Sequence, residues 1–114
     1  MSILKFKISP GELKHPITIQ HCEYKKNVDK IKVPVWEDKI KTRAKVLNVR
    51  GDEFIQAQGT GVKIEKTFYI RASKTIKIHE EDRIIFKNQA YEIAYINDIE
   101  ERGIYIEIKA RRCK

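Results

Sequence analysis

The sequence predicts an all-β fold: a small antiparallel β-barrel of about six to seven strands, with one long loop or short helix as an insertion. Three observations point there. Ile104, Ile106, Ile108 and Ala110 alternate with Tyr105, Glu107 and Lys109. Successive side chains of a strand point to opposite faces, so this period describes a strand half buried against a core. Phe68, Ile70 and Ala72 repeat it, as do Ile17 and Ile19, then Ala44 and Val46. Turn-forming or polar residues separate these short runs at near-regular spacing.

A chain of 114 residues suffices for one domain with one core. Hydrophobic residues make up 41% and charged residues 35%, which implies a thin core under a densely charged surface. No run approaches the roughly 20 apolar residues of a membrane helix. The segment from Met1 to Lys14 alternates apolar and basic residues without a long apolar stretch, so a secretory signal is not expected. A cytosolic chain is the expectation, with Cys22 and Cys113 as free thiols.

The elements follow in order. Residues 1–15 are expected as an N-terminal arm and residues 16–112 as the barrel of a single 1–114 domain. Pro10-Gly11 breaks the arm, and Pro16 opens a first strand from Ile17 to Tyr24. The polar run from Lys25 to Lys32 reads as a hairpin loop. Val33 to Trp36 opens a second strand region, where Pro34 suits an edge. Ile40 to Val49 continues the alternation, and Arg50-Gly51 breaks it. Asp52 is placed to cap a short helix over Asp52 to Ala57, followed by a mobile Gln58-Gly59-Thr60-Gly61. Val62 to Ala72 is the next strand, and Ser73 to Asp82 a polar connection with a short strand at Ile76 to Ile78. Arg83 to Phe86 and Tyr91 to Ile96 form a hairpin. An acidic turn over Asn97 to Arg102 leads through Gly103 to the last strand, Ile104 to Arg111.

No constellation in the chain carries catalysis. A zinc site needs four ligands, or three with an open position. The available set is His15, His21, Cys22, His79 and Cys113, and no CxxC or HxxxH spacing joins any of them. The serines, Ser2, Ser9 and Ser73, sit in no strained elbow motif. His21 and Cys22 are neighbours in a strand, so their side chains point apart and the histidine is badly placed to activate the thiol. Gly59-Thr60-Gly61-Val62-Lys63 lacks the Gly-Lys-Ser/Thr ending of a phosphate loop. Arg50-Gly51-Asp52 reads as a turn. An enzyme is therefore not expected, nor a cofactor or metal.

Charge points instead to binding. The net charge is +8, and residues 1–50 carry 12 Lys+Arg against 5 Asp+Glu, while residues 51–114 carry 12 against 11. A basic half suits phosphate backbones or an acidic protein face, or simply a solvated surface. Phe68 shares its face with Ile70 and belongs to the core, which leaves Tyr69 and Arg71 on the opposite face for contacts. Trp36 suits an interface anchor or strand-end packing.

The ordered series of motifs resembles the phage head–tail joining family, also called head closure or head–tail adaptor proteins. The series runs from Gly11-Glu12-Leu13 through Pro16-Ile17-Thr18-Ile19-Gln20, Trp36 and Thr42-Arg43-Ala44-Lys45-Val46. Gly51 and Glu53 match a Gly-x-Glu step into a variable loop. Tyr69-Ile70-Arg71, Asp82-Arg83-Ile84, Tyr91-Glu92-Ile93, Asp98 and Arg102 complete it. Two departures stand out. Val33-Pro34-Val35 precedes Trp36 where the family often has a Gly-rich turn, and Lys87-Asn88-Gln89 replaces a frequent hairpin Gly.

The resemblance implies a structural role in a phage or prophage particle. Such a protein forms an oligomeric ring under the portal and its adaptor, closes the DNA-filled head and offers the tail a docking platform. The implied partners are the portal/adaptor ring, tail proteins, further copies of itself and the packaged double-stranded DNA, with no membrane. The implied locations are the host bacterial cytoplasm during assembly and the head–tail interface of the virion. Within that frame the Arg50–Lys63 segment is expected to face the channel, with Arg50 and Lys63 toward phosphates and Asp52 and Glu53 toward neighbouring loops. Heterologous ring contacts are expected between the basic half and the acidic turns at Glu80-Glu81-Asp82 and Asp98 to Arg102. Trp36, Tyr69, Arg71, Glu80, Glu81 and Asp82 are the expected interface residues. The competing expectation is a monomeric nucleic-acid-binding barrel that uses the basic half, Tyr69 and Arg71.

Overall fold

Apolar residues at every second position close six strands on themselves. The computed structural model describes residues 10–49, 54–57, 60–73, 75–99 and 103–113. A 3-10 turn, Pro10–Glu12, precedes β1 (His15–Lys26) and β2 (Lys32–Asn48). A hairpin of β3 (Phe54–Ala57) and β4 (Thr60–Lys63) follows, then β5 (Lys66–Arg71), β6 (Arg83–Phe86), β7 (Gln89–Asp98) and β8 (Tyr105–Arg112). The barrel order is β1-β2-β5-β8-β7-β6, all antiparallel, and β3-β4 forms a separate two-stranded sheet. Closure leaves these six strands without a free edge over their barrel portions.

Ile17 and Ile19 enter from β1, Ala44 from β2, Phe68 and Ile70 from β5, and Ile108 and Ala110 from β8. Ile84 and Phe86 from β6 and Tyr91 and Ile93 from β7 complete the core. Phe68 stands edge-on to Phe86 at 5.8 Å and to Tyr91 at 5.6 Å, geometries that oppose positive ring edges to negative faces. A bulge between Ile93 and Tyr95 shifts the parity of β7, which turns Ile96 back toward the core and leaves Tyr95 exposed.

The β6–β7 hairpin turns on Lys87 and Asn88, both in the left-handed region at φ 50° and 63°. That pair of dihedrals is the two-residue turn whose twist matches antiparallel strands, so the chain forms it without glycine. Ile104 is exposed and precedes β8, so the last inward run begins at Ile106. No strand forms at Ile76 to Ile78, where the hydroxyl of Ser73 accepts the backbone N–H groups of Thr75 and Ile76. The expected helix over Asp52 to Ala57 is replaced by a strand. Phe54 to Ala57 pairs residue for residue with Lys63 to Thr60. Val62 to Ala72 is likewise two strands of different sheets, interrupted at Ile64 and Glu65.

β1 and β2 outrun the barrel. β6 pairs with β1 only at Thr18 to Gln20, whereas β1 and β2 stay paired out to Lys26 and Lys32. The excess forms a two-stranded finger. At its root the register shifts, with Ile19 opposite Ile40 and Gln20 opposite Asp38, so Lys39 is the extra residue of a bulge. The Lys39 ammonium donates to Asp82 at 2.8 Å, with the Asp82 side chain only 4% exposed. The same carboxylate accepts the N–H of His79, and Asp82 returns its own N–H to the His79 carbonyl. Gln20 donates to Asp38 and accepts from Arg83, whose guanidinium lies 4.2 Å from the centre of the Trp36 ring. Pro34 is tolerated because it lies on the finger, beyond the barrel portion of β2.

Further out, Lys25 bridges Glu37 across the finger at 2.5 Å. The hydrogen bond and charge of Lys25 hold the Glu37 carboxyl below its ordinary 4.5. The same bond and charge, from Glu37, hold Lys25 above its ordinary 10.5. The finger tip is organised by Asn27, whose side-chain oxygen accepts the N–H groups of Asp29 and Ile31.

Two predictions follow from these contacts. Asp82→Ala strands a largely buried ammonium and unties the His79 turn, so urea unfolding should show a loss of about 3 kcal/mol; Glu80→Ala in the same turn should cost under about 0.5 kcal/mol. The lowered Glu37 contributes order that is present above its unfolded value and lost as pH falls through its folded value. The raised Lys25 contributes order that is lost only as pH rises through its own. Cross-strand NOEs between Lys25 and Val33 should therefore be constant from about pH 6 to 9 and weaken below about pH 4, an acid loss that Glu37→Gln removes.

Candidate interaction surfaces

The strand register sorts the sequence-expected residues onto two opposite rims. One rim gathers the start of β1, the end of β2, the start of β5, the β6–β7 turn and the end of β8. The other gathers the finger root, the end of β5, the start of β6, the end of β7 and the start of β8.

The first rim carries the insertion. Its base is pinned where the Val49 N–H meets the Glu65 carbonyl at 3.1 Å and the Glu65 N–H meets the Ala110 carbonyl at 3.0 Å. Ile64 beside that base is 1% exposed and lies outside the inner cluster. Lys63, the last residue of β4, is exposed. Arg50, Asp52 and Glu53 lie outside the described residues.

The second rim holds most of the expected interface set, and the structure separates its members. Glu80 and Glu81 are exposed, as is Arg71. Asp82 is not available to a partner, because it is buried and committed to Lys39 and His79. Tyr69 is also withdrawn from the expected surface. Alternation does put it on the outer face, but that face is covered there: Tyr69 is 6% exposed, and its hydroxyl donates to Glu107 at 2.8 Å. Thr67 on the same face is buried too. Nearby on the outside of β2, Lys45 holds Glu12 of the 3-10 turn at 3.2 Å. Trp36 is half buried under Arg83 at the finger root, so one ring face already packs within the chain.

Sequence reasoning missed the most exposed apolar residues of the finger. Tyr24 is 69% exposed, Val28 98% and Ile31 59%. Their signal was present as isolated apolar residues within a run otherwise composed of Lys, Asn, Asp and Glu. Lys25, Lys26, Lys30 and Lys32 surround them and are exposed. Beside the second rim a groove of about 510 Å³ opens between the Ala72–Ile78 connection and strands β7 and β8. Ile76, Ile78, Ile96 and Ile106 line it, with Asp98 at its edge. The Asp98 carboxylate also accepts the N–H of Gly103, which takes φ 67° to turn the chain into β8.

Antiparallel register also brings together three groups that the sequence reading kept apart. His21, Glu23 and Glu37 place their ligand-capable atoms within 4.8 Å of one another. His21 bonds Glu23 at 3.1 Å, and Glu37 is already neutralised by Lys25. The arrangement is a ladder of polar contacts, His21 to Glu23 and Lys25 to Glu37, on one face of the finger. Cys22 and Cys113 are both free thiols. No helix among the described residues is long and apolar enough to cross a membrane.

The comparison with curated proteins finds no match. Among solved structures the chain is similar to a chain of the virion of a native gene transfer agent particle. The TM-score is 0.61 at 16% identity, covering 89% of this chain and 96% of that one. It is also similar to the solution structure of protein SF1141 from Shigella flexneri 2a. There the TM-score is 0.64 at 24% identity, covering 92% of this chain and 96% of that one. These likenesses carry the fold. The model of the phage head completion proteins matches residues 8–112, nearly the full length, so this chain belongs to the phage head completion protein family.

Proposed function

We propose that this phage head protein joins head to tail, forming a ring beneath the portal and adaptor that closes the DNA-filled head and seats the tail. The observation that supports the reading is the polarity of the barrel. An insertion leaves one rim, and a finger with exposed Tyr24, Val28 and Ile31 leaves the other. A ring needs two unlike patches that meet head to tail around the circle. The lysine-rich finger tip and the acidic side of Glu80, Glu81 and Asp98 are such a pair. The insertion, from Arg50 to Lys63, is then the element directed at the channel, with Arg50 and Lys63 toward phosphates and Asp52 and Glu53 toward neighbouring copies. Arg71 and the outer face of Trp36 lie on the side offered to adaptor or tail. On this reading no chemistry is required of the protein.

The alternative, a monomeric barrel that stacks nucleic-acid bases on Tyr69, loses its platform because Tyr69 is buried. Base stacking needs an exposed ring face.

Deleting the gene from a producing strain should give packaged heads that lose DNA and carry no tails. Complementation with the native gene should restore both. Arg50→Glu with Lys63→Glu should restore tails while DNA retention falls several-fold, and Val28→Asp with Ile31→Asp should leave the purified protein folded but absent from particles. Tailed, DNA-retaining particles from the deletion strain would overturn the reading.

A further inference from the structure

We propose that the rim bearing the insertion contains a phosphate-binding cradle, built by His15, Asn48, Lys66 and Lys87 around the ring of Phe86, that takes one backbone phosphodiester of double-stranded DNA. The proposal rests on the joining role above for its source of DNA, but its chemistry is independent of that role.

Four barrel strands end at this point. His15 opens β1, Asn48 closes β2, Lys66 opens β5, and Phe86 closes β6 just before the Lys87-Asn88 turn. Together with Val46 they line a cavity of about 190 Å³, large enough for a phosphate group. The Lys87 ammonium stands 5.4 Å from the Phe86 centroid and the Lys66 ammonium 5.8 Å. His15 meets the same ring edge to face at 5.8 Å. Lys66 also donates to the side-chain oxygen of Asn48 at 2.5 Å, which fixes where its charge sits.

Two ammonium groups thus stand near one aromatic ring, and among the described residues no carboxylate lines the cavity. The ring quadrupole offsets part of their mutual repulsion. An oxyanion between them would remove the rest. Each ammonium carries three donors, and an imidazole offers an N–H in either protonation state, so donors approach from separate strands. Separated point charges suit a tetrahedral phosphate, and there is no guanidinium fork of the kind that grips a planar carboxylate in two parallel bonds. A contact to the phosphate backbone carries no sequence information, so binding at the cradle is sequence-independent. A single such contact is weak, and a ring would multiply it by holding several copies against one duplex.

The test is NMR of the full chain, following the His15 ring protons and the Lys66 and Lys87 amides. A short DNA duplex, inorganic phosphate and acetate are titrated in turn at low salt. Saturable shifts of all three residues are expected with duplex and, at higher concentration, with phosphate, and not with acetate. Lys66→Gln with Lys87→Gln should weaken duplex binding about tenfold and lower the slope of log affinity against log salt by about one, for the one phosphate the two cations share. Lys66→Arg with Lys87→Arg should keep most of the affinity, and an unchanged melting temperature excludes unfolding. Phosphate binding with no preference for duplex would reassign the cradle to a free phosphate and overturn the DNA proposal. Equal shifts with acetate would reassign it to a partner's carboxylate, and no shift at all would overturn it outright. The joining role fails separately, through tailed and DNA-retaining particles from the deletion strain, whatever the cradle binds.

Discussion

The two-for-one bulge at Lys39 and its bond to Asp82 set the shape of this molecule. β2 is 17 residues long, about three times the usual strand. A small barrel cannot absorb that length, so β2 and its partner β1 must leave the sheet together. The bulge marks where they leave, and the Asp82 carboxylate fixes it to the connection that enters β6. Gln20, Asp38, Arg83 and Trp36 lock the neighbouring positions. An isolated two-stranded hairpin is marginal in water. Here the root network, the Lys25–Glu37 pair and the Asn27 turn at the tip hold the finger as an extension of the barrel.

That anchoring gives a 13.4 kDa chain two distant, unlike ends. The core needs only the barrel portions of six strands. The insertion at one rim and the finger at the other are length added beyond what the core requires. Both contain paired β-strands, Phe54–Ala57 with Thr60–Lys63 in the insertion and the outer parts of β1 and β2 in the finger. On the proposed reading this is what a ring subunit needs: one element turned toward the channel and another reaching an adjacent protein, with a rigid barrel between them. The cationic residues around Phe86 lie on the insertion side, where such a ring would meet DNA.

Much of this was legible in the residues. The period-two runs at Ile17 and Ile19, at Phe68 and Ile70, and at Ile106, Ile108 and Ala110 face the core as the alternation predicts, because burial on one face leaves a direct trace in sequence. What pattern cannot carry is pairing. Val33 to Trp36 and Ile40 to Val49 read as two strand regions because a bulge breaks the alternation of one continuous strand. Asp52 as a capping residue points to a helix over residues 52–57, whereas the antiparallel partner at 60–63 decides the conformation of 54–57. Tyr69 and Asp82 show the same limit at the level of sites. Each is polar or amphipathic at a position expected to face outward, and each is buried by partners distant in sequence, Glu107 and Lys39. The exposed Val28 and Ile31 are the converse case: apolar residues whose loop position left them without a core to join.

The central claim is one of place: this family member sits where head meets tail. Antibody labelling of particles from an induced culture of the source bacterium, viewed by electron microscopy, tests it most directly. The account predicts label confined to the head–tail vertex of each particle. Particles without vertex label would contradict it.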